Sequence, residues 1–141
     1  MNDLTLELAQ ELITSALAEA THREVLVSAA VVDGGGHLVA FGRMDDAEIA
    51  GPTLAVDKAY TSVANHISTA ELAMLAAPGG ELFGLQANGG GRFVIFGGGV
   101  PLHAHGVVIG AVGVSGASAD DDARCAEAAA AVFHEAVGVR I

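Results

Sequence analysis

Residues 25–43 read VLVSAAVVDGGGHLVAFGR, and the division of this stretch decides the fold. Val25 to Asp33 is β-branched and apolar, Gly34, Gly35 and Gly36 supply a turn, and His37 to Arg43 runs back. The pattern predicts a β-hairpin, with the glycines present because a tight reversal needs positive φ. A second antiparallel unit is expected downstream. Arg92 to Phe96 is a strand candidate, Gly97 to Gly99 follow, and Val100 to His103 leads through a turn at Ala104 to Gly106 into Val107 to Ser115.

Helices are expected around and between these strands. Leu8, Leu12, Ala16 and Ala20 form one stripe with Ile13 and Leu17 beside it, while Glu7, Gln10, Glu11 and Glu19 lie elsewhere. Thr5 is placed to cap that helix, which should end near Thr21. Gly51 and Pro52 open a second helix from about Thr53 to His66, and Ser68 or Thr69 caps a short third one ending before Pro78. Pro78 to Arg92 is glycine-rich and reads as a long loop or cover. Ser118 and Asp121 outline a capping box for a last helix, whose stripe is Ala123, Ala126, Ala130, Phe133 and Val137. Two hairpins separated by helices predict an α+β fold, an antiparallel sheet of about four to five strands flanked by helices, in one domain over residues 1–141.

Composition narrows the partners. The chain of 141 residues is 52% hydrophobic and 16% charged, with a net charge of −11. That charge repels nucleic-acid backbones and anionic membranes, so neither is an expected partner. The surplus of apolar residues points to contacts between copies of the chain. The apolar runs are too short to span a bilayer, and the start at Met1, Asn2 and Asp3 lacks the basic stretch and apolar block of a secretory leader, so a cytoplasmic location is expected. The lone Cys125, among alanines, reads as a small core residue.

Chemistry has several candidate seats. The glycine clusters lack the spacing of a P-loop or a dinucleotide fold, although Gly97, Gly98 and Gly99 leave bare backbone that a ligand can approach. Lys58, the single lysine, shares a helix face with Leu54, Thr61 and Asn65, either as a polar stripe facing a ligand or as a solvated surface beside Asp57. Arg43 and Asp45 reach a pocket rim or pair with each other. An arginine and a lysine suit a small carboxylate, and a histidine such as His66 or His105 would move the proton. Six histidines also raise a metal or haem reading, in which His22, His103 and His105 are axial candidates. No HExxH, CxxC or GxSxG occurs, so neither a zinc site nor a familiar hydrolase is expected.

Several segments, taken in order, resemble the GlcG/HbpS-like family, which includes the carboxy-terminal domain of PduO-type proteins. They are Val31 to Asp33 with Gly36 to Phe41, Arg43-Met44-Asp45, Asp57 to Thr61, Gly97 to Pro101, and Gly110 to Gly116. The resemblance implies a three-layer arrangement of the profilin/GAF kind, homo-oligomeric assembly, and, in several relatives, haem binding or a corrinoid-related function. It supports Arg43, Lys58, Thr61 and the Gly97 to Gly99 loop as pocket residues. His105-Gly106 stands where the family usually has Asp-Gly, which removes an acid and adds an imidazole. The leading expectation is a homo-oligomer binding a small ligand, with haem as the ligand to test. The competing expectations are a cofactor-independent enzyme acting on a small carboxylate or carbonyl compound, with Arg43 and Lys58 binding the anion and His66, His103 or His105 as acid/base, and an accessory subunit without chemistry.

Overall fold

The computed structural model describes residues 3–138. Met1 and Asn2, the first residues of the leader-free start expected from the sequence, lie outside the described residues, as do residues 139–141. The elements run α1 (Leu6–His22), β1 (Ser28–Asp33), β2 (Leu38–Arg43), α2 (Gly51–Asn65), α3 (Thr69–Ala76), two single 3₁₀ turns (Leu85–Ala87 and Gly89–Gly91), β3 (Gly99–Ala104), β4 (Val107–Ser115) and α4 (Ala119–Val137).

The helices begin where side-chain oxygens meet their first free amides. Leu8 N–H donates to Thr5 Oγ1 at 3.1 Å, Glu71 N–H to Ser68 Oγ at 3.2 Å and Asp121 N–H to Ser118 Oγ at 3.1 Å. Helix α2 has no such cap and instead opens with Pro52 in its first turn. It stops at His66, which sits at φ 57° and ψ 36°.

Four strands form one antiparallel sheet in the order β2-β1-β4-β3. Alternation along the central strands sends Val31, Val112 and Val114 to one face and Val32 and Ala111 to the other. The first face carries the main core, closed by Leu12, Ala16, Cys125, Ala129 and Phe133 from α1 and α4. The second is covered by α2 through Ala59 and Val63. The outcome is three layers, two helices on one side of the sheet and α2 on the other. Burial raises the Cys125 thiol to about 11, which fits the core role expected of it.

Arg92 to Phe96, expected as a strand, is irregular and joins no ladder. Its backbone is bonded to a helix side chain instead: Val94 N–H donates to Thr61 Oγ1 at 2.9 Å. The sheet therefore has four strands, and β1 starts at Ser28 rather than Val25. Among the described residues no helix is long and apolar enough to cross a membrane.

Candidate functional site

Two stripes that are otherwise uncharged carry one charge each. On α2, Lys58 sits among buried Ala55, Ala59 and Ser62, and on α4 Asp122 sits on the line of buried Ala126, Ala129 and Phe133. The fold brings them together. Lys58 Nζ lies 3.0 Å from Asp122 Oδ2, with side chains 0% and 2% exposed. The ammonium also donates to the Val114 carbonyl at 3.0 Å and stands 5.0 Å from the centre of the Phe96 ring. Asp122 accepts the Ala117 N–H at 2.9 Å and the Gly116 N–H at 3.4 Å. Burial pushes the Lys58 pKa down and the Asp122 pKa up, and the opposite charge of each partner counteracts both shifts. A buried charge is tolerable when paired and hydrogen-bonded in this way.

The Gly97 to Gly99 loop packs directly onto this pair, and all three glycines are buried. Gly98 has φ 136°, and a Cβ there would stand 2.8 Å from Lys58 Cδ and Nζ. At Gly99 a Cβ would run into the Lys58 carbonyl. The bare backbone is thus occupied by close packing on α2. Thr61 is also wholly buried. Its hydroxyl donates to the Asp57 carbonyl at 2.7 Å and accepts from Val94 N–H, which fastens the segment after Arg92 to α2.

An apolar cleft opens on the α2 side of the sheet. Leu38, Phe41, Pro52, Thr53, Val56 and Asp57 line a volume of about 400 Å³. Register explains the wall. Val31 pairs with Ala40 but Val32 pairs with Leu38, so Val39 is an extra residue, and a bulge of this kind puts Leu38 and Phe41 on one face although they are three apart. Both stay substantially exposed, at 52% and 40%. At the rim, Arg92 Nε donates to Asp57 Oδ1 at 3.0 Å, and the guanidinium lies 3.7 Å from the centre of the Tyr60 ring. Tyr60 in turn stacks on Phe93 at 6.3 Å.

The remaining expected residues are dispersed. Arg43 is exposed and donates to the Ala47 carbonyl; no Arg43 to Asp45 ion pair occurs among the described residues. His66 is exposed at the end of α2, and His22 is exposed in the last turn of α1. His105, at φ 53° in the β3–β4 turn, has Nε2 3.0 Å from Asp3 Oδ2. His103 is half-buried: its backbone N–H donates to His134 Nε2 at 3.0 Å, while its own Nδ1 is buried with no hydrogen-bond partner among the described residues. No hydrogen bond or ion pair joins any two of Arg43, Lys58, His66 and His105. Among the described residues no group of three or more His, Cys, Asp or Glu side chains is placed to hold a metal ion. Sequence reasoning passed over Asp122, His134, Arg92, Tyr60 and the cleft wall. Asp122 was detectable, because it falls on a helix stripe otherwise made of Ala and Phe.

Comparison with known proteins fits this architecture. An uncharacterised 15.0 kDa protein from the dhaT-dhaS intergenic region of Citrobacter freundii is 40% identical over 94% of this chain and 93% of its own. The crystal structure of a PduOC:heme complex superposes with a TM-score of 0.87 at 36% identity, covering 92% of this chain and 94% of that one. A double mutant of HbpS from Streptomyces reticuli gives 0.86 at 33% identity, covering 94% and 88%. The family model described as haem degrading protein HbpS-like matches residues 4–131, and with this match and the 40% identical relative the chain belongs to that HbpS-like family.

Proposed function

We propose that this chain is a haem-binding member of its family, acting as a single domain in a homo-oligomer. The observation that carries the reading is its likeness, across 92% of its length, to a domain solved with haem. The chain's own residues suit such a ligand. The cleft walls of Leu38, Phe41, Pro52 and Val56 offer an apolar face for a porphyrin. His22 offers an exposed imidazole with no side-chain partner among the described residues, whereas His105 is engaged by Asp3 and His103 turns its Nδ1 inward. We therefore rank His22 first among the three as axial ligand; because α1 packs on the sheet face opposite the cleft, a second copy of the chain in the homo-oligomer would contribute it. Bound haem supplies an iron able to exchange ligands and electrons; the protein supplies the apolar surface and the imidazole.

Assembly is supported by large apolar side chains left in water, Ile49 at 94%, Met74 at 77% and Phe83 at 66% exposed. We further propose a cytoplasmic setting, in which the lone buried Cys125 thiol would stay reduced. An acid–base enzyme built on Lys58 is not proposed, since its ammonium has no exposed surface and is committed to Asp122.

The test is a hemin titration of purified apoprotein, read in the Soret region, with His22→Ala, His103→Ala and His105→Ala in parallel. A saturable, stoichiometric shift altered in His22→Ala is expected. Absence of a saturable shift in the unmodified protein would overturn the proposal.

A further inference from the structure

Three hollows in the surface differ in what their rims can bind. The one along α1 carries Glu7 and Glu11, and so repels anions. The groove between α3 and α4 carries Arg124, but Asp120 and Glu127 already engage its guanidinium. The cleft between β2 and α2 is different. Its neighbour Arg92 spends only Nε, on Asp57, and neither Nη group has a hydrogen-bond partner among the described residues.

We infer that this cleft takes an apolar molecule bearing a carboxylate, and that Arg92 binds the carboxylate and sets the specificity. The inference rests on the haem reading, since the propionates of haem belong to the same chemical class. In a chain of net charge −11, a guanidinium with two free Nη groups beside an apolar wall is the feature that distinguishes an anionic ligand from a neutral one. Its orientation is fixed in advance. Asp57 holds one edge at 3.0 Å and the Tyr60 ring supports its face at 3.7 Å, so little side-chain freedom remains to be lost on binding. The remaining edge presents the planar fork that matches a carboxylate with two parallel bonds. Asp57 opposes the incoming charge but occupies a different edge of the guanidinium.

Two matched pairs test this in the full chain: 9-anthracenecarboxylic acid against 9-anthracenemethanol by fluorescence, and hemin against hemin dimethyl ester by absorbance. The acid should bind about tenfold more tightly than the alcohol, the size expected for a hydrogen-bonded charge pair at a partly exposed site. Arg92→Gln should erase the difference between acid and alcohol, and Arg92→Lys should restore part of it. Val56→Asp should weaken both anthracene probes. Equal binding of acid and alcohol, failure of the acid to bind, or an acid preference that survives in Arg92→Gln would overturn the inference. Saturable hemin binding without any carboxylate preference would remove the inference and leave the haem reading. Arg92-dependent binding of the anthracene acid without hemin uptake would do the reverse.

Discussion

Lys58 Nζ and Asp122 Oδ2 are 3.0 Å apart and almost wholly shielded from water, joining α2 to the start of α4 past the end of β4. Replacing Lys58 by Met leaves the Asp122 carboxylate buried with two backbone donors and no cation. The expected cost is about 3–5 kcal/mol, the range for breaking one side of a buried pair, against a total stability of roughly 5–15 kcal/mol. Lys58→Met with Asp122→Leu should recover most of it, because two apolar groups leave no orphaned charge. Urea unfolding followed by circular dichroism measures both variants. A single variant within about 1 kcal/mol of the parent would show that the pair does not hold the two helices together.

Gly113 lies where α2 packs tightly on the sheet. A Cβ there would collide with the Ala55 carbonyl and the Ala59 backbone nitrogen. These are helix backbone atoms, which cannot rotate aside as a side-chain tip can. Gly113→Ala should therefore cost at least about 2–3 kcal/mol by overpacking, with lower expression and a lower urea midpoint. Gly106→Ala is the contrasting case, since nothing lies within 4 Å of its added Cβ and only its φ of 78° opposes the change. A smaller loss is expected there.

The strands that pair locally were legible in the sequence and the long-range side-chain contacts were not. Val25 to Arg43 revealed its hairpin because a run of β-branched and apolar residues and a glycine turn act within a few positions. Arg92 to Phe96 misled for the same reason: its composition suits a strand, but it pairs with no strand among the described residues, and Thr61, 31 residues before Arg92, bonds to its backbone instead. Spacing placed Lys58 and Thr61 correctly on one side of α2. It could not show that this side faces inward, because the partner, Asp122, is 64 residues away in the chain. The cleft depended on a bulge at Val39, which moves Leu38 onto Phe41's face and which strict alternation would not anticipate.

Thr61 connects stability to the cleft. Its hydroxyl accepts from Val94 N–H at 2.9 Å, and the same oxygen lies 3.2 Å from the Arg92 carbonyl. Thr61→Val keeps the shape and removes the acceptor, leaving a buried amide unpaired at a cost of about 1–3 kcal/mol. Thr61→Ser should retain stability near the parent. Because Arg92 sits on the fastened segment, amide hydrogen exchange of Arg92 to Val94 should accelerate in Thr61→Val before global unfolding begins. Unchanged exchange would mean that the segment is held by other contacts, such as Tyr60 against Phe93.

His134 gives the fold a measurable response to acid. Its Nε2 accepts the His103 N–H at 3.0 Å, which requires that nitrogen to be unprotonated. Burial, and secondly the nearby His103, lower its pKa from the ordinary 6.5. In the window between that ordinary value, which holds in the unfolded chain, and the lower folded value, the unfolded chain carries the proton and the folded chain does not. Stability from this group is therefore fully present above the unfolded value and is lost as pH falls through the window, with no further loss below it. Carboxylates other than the buried Asp122, whose pKa burial raises, contribute mainly below about pH 4.5, outside the upper part of that range. The urea midpoint should fall between about pH 7.5 and about pH 5.5 in the parent. His134→Gln should flatten this dependence, because the amide oxygen can accept the same N–H and does not titrate. Parallel losses in parent and variant would assign the acid sensitivity to another group.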